Sequence, residues 1–176
     1  MKRSSQLLIT LLAVVTAAAA FAGTAFWTVN AGNGNWNDPT KWINNYVPAP
    51  GDDVYFSNIT GNVTITLTND VTVGTFLMPT LAGTARNVTI NGQNQTITIN
   101  NGIEKTRAQF LVINANIALG GDIVISNHQA AGGTRQINLN GVISDGGNNY
   151  SITKVGSLPL MLTNGAAANT FGGELI

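Results

Sequence analysis

The feature that most restricts this chain is a rhythm of very short aliphatic strands broken by Asn-Gly and Gly-Gly pairs. Val63-Thr-Ile-Thr-Leu67 alternates strictly between aliphatic residues and Thr. That period of two puts one set of side chains on each face of a half-buried strand. Val71-Thr-Val73 resumes the pattern after Asn69-Asp70. The same texture predicts strands at 54–56, 87–90, 96–99, 109–113, 117–119, 122–126, 135–139, 151–155 and 160–163. Between them stand Asn91-Gly92, Asn101-Gly102, Gly120-Gly121, Gly132-Gly133, Asn140-Gly141, Gly146-Gly147 and Asn164-Gly165. Asn and Gly both reach the left-handed backbone region that tight turns use. No segment after residue 22 has helical spacing, so the expected fold class is all-β.

Two architectures suit short strands and tight turns: a β-sandwich or barrel, and a β-solenoid. Asn-Gly between alternating strands is a hairpin signal and favours the sandwich. The shortness of the strands favours the solenoid. So does the recurrence of similar phrases. Asn87-Val-Thr-Ile-Asn-Gly, Phe110-Leu-Val-Ile-Asn-Ala and Gln136-Ile-Asn-Leu-Asn-Gly each run aliphatic residues into Asn and a small residue. Their spacing of about 23 to 27 residues lies in the range of repeat folds. Coils stacked about 4.8 Å apart would pile Val, Ile and Leu into one column and leave Thr and Asn outside. At roughly 22 residues a coil, the region after Phe56 would make about five coils.

Composition agrees. Only 9% of residues are charged, against about 25% in an average soluble domain. The missing charge is replaced by 23 Asn and 21 Thr beside 20 Gly. There is no Cys, so stability must come from repetitive packing or core size. Residues 1–22 read as a secretory signal: Lys2 and Arg3, an apolar run from Leu7 to Ala20, then Ala20-Phe21-Ala22 with small residues at the peptidase positions. Cleavage is expected after Ala22, within a few residues; the alternative is an uncleaved anchor. Residues 23–176 keep six Lys/Arg and eight Asp/Glu, net −2. That balance offers nothing basic for nucleic acid. No second long apolar run follows, so no transmembrane helix is expected after signal removal.

Residues 23–56 differ in texture. All three Trp, Trp27, Trp36 and Trp42, lie here with Tyr46, Tyr55 and Phe56. This stretch reads as an irregular, aromatic-rich N-terminal cap, followed by solenoid coils over 57–176. A solenoid needs its open core covered, and a Trp buries on the order of 200 Å². The other use of three Trp is a stacking platform for sugars, which makes Trp27, Trp36 and Trp42 the candidate glycan-binding residues.

Near the C-terminus, Thr153-Lys-Val-Gly-Ser-Leu-Pro-Leu-Met-Leu-Thr163-Asn-Gly-Ala-Ala-Ala-Asn169-Thr-Phe-Gly-Gly173 resembles the autotransporter-associated β-strand repeat. The matching positions are Thr153, Lys154, Gly156, Leu160, Leu162, Gly165, Ala166, Asn169, Thr170, Gly172 and Gly173, with Phe171 at the aromatic place. Leu158 stands where that family prefers Gly, Ala167 and Ala168 lengthen the turn, and Pro159 falls within the predicted strand, where it cannot donate to a ladder. The N-terminal pattern of Trp27, Gly34-Asn35-Trp36, Trp42, Pro48, Gly51-Asp52 and Phe56 is similar to the start of large bacterial surface proteins carrying this repeat. The resemblance implies a right-handed parallel β-helix in an exported bacterial passenger segment, at the cell surface or outside the cell, with no catalytic residues. The repeat-like run at 151–173 stops where a next strand would begin, which suggests a truncated piece of a longer protein; the alternative is a short protein with a frayed end.

Other polar residues carry weaker signals. His128 is the only His and lies in a polar turn, with no second His or Cys to share a metal. Asp52-Asp53, with Asp38 upstream, could hold Ca²⁺, which needs six or more oxygens, but Pro-Gly-Asp-Asp reads first as an ordinary turn before the strand at 54–56. Gly120-Gly-Asp-Ile-Val is one degenerate copy of a calcium nonapeptide that works by stacking. Lys41, Arg86, Lys105, Arg107, Arg135 and Lys154 are scattered singly. The expectation is a structural or adhesive segment that is not an enzyme and carries no metal or cofactor. Its partners would be surface glycans, other cell-surface proteins, or further repeats of the same chain. The alternative is a carbohydrate-binding or carbohydrate-acting β-helix.

Overall fold

The computed structural model describes residues 22–28, 32–57, 59–79, 86–106, 109–128, 135–164 and 168–176. The predicted signal segment, apart from Ala22, lies outside the described residues, as do the Gly132-Gly133 turn and Gly165 to Ala167 of the repeat-like run. The described strands are β1 (Thr24–Phe26), β2 (Gly34–Asn35), β3 (Asp53–Tyr55), β4 (Val63–Thr66), β5 (Val71–Met78), β6 (Val88–Asn91), β7 (Thr96–Lys105), β8 (Leu111–Ile113), β9 (Asn116–Leu119), β10 (Ile123–Asn127), β11 (Ile137–Leu139), β12 (Ile143–Ser144), β13 (Ile152–Val155) and β14 (Leu160–Leu162).

Every pairing between these strands is parallel. A sandwich of hairpins would pair neighbours antiparallel. The fold is instead a β-solenoid of about five turns. One face stacks β2, β4, β6, β8, β11 and β14. A second stacks the first half of β5, the first half of β7, β9 and β12. A third stacks β1, β3, the second halves of β5 and β7, then β10 and β13. The second and third faces join within β5 and β7, where the register slips between Val73 and Thr75. The predicted Asn101-Gly102 turn is therefore no turn: both residues lie inside β7, at this bend.

Register follows the aliphatic pattern. Val63, Val88, Leu111, Ile137 and Leu160 stand in one column, so a coil takes 23 to 26 residues. Ile65, Ile90, Ile113, Leu139 and Leu162 form the column beside it. Ile97, Ile117 and Ile143 fill the second face, and Val54, Phe76, Ile103 and Ile125 the third. These side chains are buried except Leu160 and Leu162, on the last strand of the first face. Each fully buried aliphatic contributes about 1.5–3 kcal/mol relative to exposure. The repeated coil thus supplies the core that disulfides do not. Pro159 precedes β14, outside the strand, and its carbonyl accepts from the Ile137 N–H at 3.2 Å.

The aromatic-rich N-terminal stretch is less irregular than its composition suggests. β1 pairs with β3 and β2 with β4, so it contributes the first rung of two faces. Between them lie two short 3-10 turns, Pro39–Lys41 and Ile43–Asn45.

Candidate functional site

The three Trp come together at the N-terminal end of the core. Trp27 and Trp42 meet edge to face at 5.0 Å, and Trp36 meets Trp42 at 5.1 Å. Trp36 then touches Phe76, which stacks on Phe56. The Trp42 Nε1–H donates to the Trp36 carbonyl at 2.7 Å. Each Trp is only 1% exposed. Stacking on a sugar needs a free ring face, and none of the three offers one; the rings pack on one another and on Phe76 inside the core. The accessible aromatics lie beside them. Phe26 and Tyr55 sit 4.8 Å apart. Phe26 also lines a shallow depression with Thr24, Ile43, Asn44, Tyr46 and Ser57.

The carboxylates and many Asn side chains share a task that local sequence does not reveal. At the coil corners, a side-chain oxygen of one coil accepts a backbone N–H of the next. Asn33 takes Thr64, Asn62 takes Asn87, and Asn87 takes Phe110, at 2.7, 3.0 and 3.1 Å. Asp53 takes Thr75, Asp70 takes Thr96, and Asp122 takes Ser151, at 2.7, 2.8 and 2.8 Å. Asp145 accepts from Gly172, Gly147 and Tyr150, and these bonds, Gly172 first, hold its carboxyl below the usual range. Asp38 caps the first 3-10 turn through Thr40. A side ladder of Asn91, Asn114 and Asn140 runs along the first face. Among the described residues no three His, Cys, Asp or Glu gather as a metal site. His128 lies just after β10, and its backbone N–H bonds to the Lys105 carbonyl.

One cation is placed inside. Phe56, Met78, Lys105, Asn127 and Gly156 occupy equivalent positions at the end of the third face, in coil order. Lys105 is fully buried. Its Nζ donates to Asn127 Oδ1 at 2.8 Å and to the Arg135 carbonyl at 3.4 Å. Asn127 passes the chain on to the Pro159 carbonyl at 2.8 Å. Burial pushes the Lys105 ammonium down to about 8. Gln109, also buried, has no partner for either amide atom.

At the far end the core is open. Leu158, Leu160, Leu162, Leu175 and Ile176 line an apolar hollow there. Leu175 and Ile176 already lie alongside β13: Ile152 and Leu175 bridge in parallel, and the Lys154 N–H donates to the Ile176 carbonyl at 2.7 Å. The repeat-like run makes one circuit: β13 on the third face, β14 on the first, and Thr170 on the second, bonded to the Ile143 carbonyl. Its closing Gly173 passes so near the coil beneath that a Cβ would lie 2.2 Å from the Tyr150 carbonyl oxygen.

Fold and side-chain roles together define the class as a parallel β-solenoid whose corners are capped by amides and carboxylates. No family model, no curated protein and no solved structure matches the chain. Among the described residues no helix is long and apolar enough to cross a membrane.

Proposed function

We propose that this chain is a structural or adhesive passenger segment of an exported bacterial surface protein, related to the autotransporter-associated β-strand repeat proteins, and that it performs no catalysis. The observation that carries this reading is the commitment of its Asp and Asn side chains to holding coil on coil. Chemistry needs polar groups free to converge on a substrate; here they bind the shaft together. Parallel coils add about 4.8 Å of length each, so the product is reach. Low charge and an outer surface of Thr and Asn suit contact with glycans or with other surface proteins. The repeat-like circuit at 151–173 supports the family reading, and the signal-like residues 1–22 support export.

The test is to express residues 1–176 with a C-terminal epitope in a bacterial host and label intact cells and medium. Recovery of the epitope only from the cytoplasm would refute export. A second reading, glycan binding, is favoured by the accessible Phe26, Tyr46 and Tyr55 beside the buried Trp cluster. A glycan array with the wild type and Tyr46→Ala separates the two. Binding lost in the variant, with the fold intact, would favour the second reading.

A further inference from the structure

We infer that removal of the segment ending at Ala22 creates an ion pair: the new α-ammonium of Gly23 docks on the buried carboxylate of Asp52 and fastens β1 to the first coil. The inference rests on the export reading, since Ala20-Phe21-Ala22 sets the cleavage position. The structure reaches the same bond independently. Among the described residues Ala22 is exposed, and Gly23 is the first held from both sides. Its nitrogen donates to Asp52 Oδ1 at 2.6 Å, and its carbonyl accepts from the Asp53 N–H at 3.0 Å. β1 starts at the next residue.

Asp52 is built as a receptor. It is 2% exposed. Its Oδ2 accepts from the Tyr46 hydroxyl at 2.6 Å and from the Ala49 N–H at 2.9 Å. Burial alone would raise its pKa, but the bonds from Tyr46, Gly23 and Ala49 outweigh that and keep the carboxyl ionised. In the uncut chain three neutral donors meet this charge. Removing a charge from water without a countercharge is costly. Cleavage turns one of those donors into a cation without moving it. Gly suits the place, because a Cβ at residue 23 would lie 3.0 Å from Asp52 Oδ1 and 3.1 Å from the Tyr46 hydroxyl oxygen. Asp52 and Tyr46 are the titratable groups that face the Gly23 nitrogen among the described residues. Asp53, next in sequence, instead turns its carboxylate to the Thr75 N–H on β5.

A carboxylate partner raises an α-ammonium above its ordinary value of about 8. The pair then stabilises the fold fully below about pH 8, and that gain is lost as pH rises through the raised value. The experiment has two arms. First, the N-terminus of chain recovered after export is sequenced; a start at Gly23 is expected, a start elsewhere within a few residues keeps the leader reading and overturns this inference, and an uncut N-terminus overturns both. Second, chain starting at Gly23, released from a cleavable fusion, is compared by thermal unfolding with chain starting at Ala20. The Gly23 form should melt a few degrees higher at pH 6, and the gap should close by pH 10. Asp52→Asn should abolish the gap between the two forms. Equal melting at pH 6, or a gap unchanged by pH or by Asp52→Asn, overturns the ion pair even where sequencing finds Gly23.

Discussion

Replacing Lys105 by Met isolates the cost of a cation inside the solenoid. The two side chains have similar length, and Met78 already occupies the equivalent position one coil earlier. The Lys105 pKa falls to about 8 from 10.5 through burial. The folded pKa is the lower one, so the unfolded chain binds the proton more tightly. Below about pH 8 the folded state carries the full penalty of a buried charge. Between pH 8 and 10.5 the folded side chain sheds its proton first, and stability rises with pH. At about 1.4 kcal/mol per pK unit the full penalty is about 3 kcal/mol. Crossing from about pH 7 to about pH 10 recovers most of it, about 2 kcal/mol. The thioether of the Lys105→Met variant does not titrate and carries no such penalty. Its packing, and the loss of the bond to Asn127, weigh equally at both pH values. The stability difference between wild type and Lys105→Met should therefore shift by about 2 kcal/mol in favour of wild type from pH 7 to pH 10. With a urea m-value of about 2 kcal/mol/M, that is a relative midpoint shift of about 1 M. A difference constant within a few tenths of a kcal/mol would refute the reading of Lys105 as an inward cation.

Three further outcomes follow from the geometry. A Cβ on Gly141 would lie 2.0 Å from the Ala115 carbonyl oxygen, so Gly141→Ala must push two coils apart and should cost about 2–4 kcal/mol in urea unfolding, at the upper end of the range for a point change. Trp36→Ala leaves a hole in the Trp cluster and should cost about 3–5 kcal/mol by the same assay; a loss under about 1 kcal/mol would show that the cluster is not packed. Asp145 has its pKa lowered by the Gly172, Gly147 and Tyr150 N–H groups, so its contribution is present above the unfolded carboxylate value of about 3.9 and is lost as pH falls through the folded one. Wild type should therefore lose more stability than Asp145→Asn between pH 6 and pH 3, measured by chemical unfolding.

The strands are largely legible in the sequence because aliphatic alternation is a local signal and each inward residue is local evidence of itself. β4, β6, β8, β10, β11, β13 and β14 lie within a residue or two of their expected bounds. β12 escapes the sequence reading because two residues carry no period. β5 and β7 run longer than predicted: Asn101-Gly102 looks like a turn locally, but it and Gly74 lie inside strands that turn from one face to the next. The sequence allows two uses for the three Trp, a plug or a sugar platform, and their burial depends on coil stacking that local sequence does not display. The corner roles of Asn and Asp escape a local reading, because the partner N–H lies a full coil away. Lys105 reads in sequence as one scattered cation; only alignment of coils places it beside Met78 and Asn127.

Most of the corner bonds also have a direction, although Gly23 to Asp52 and Ile143 to Asn169 run the other way. In the pairs Asn33 with Thr64, Asn62 with Asn87, Asp70 with Thr96, and Asp122 with Ser151, the acceptor always precedes its donor by one coil. A chain emerging N-terminus first therefore displays these four docking oxygens before the amides that will seek them. A finished turn that carries such an oxygen is a prepared landing place for the one still arriving, and the rod can grow by accretion from its N-terminal coil.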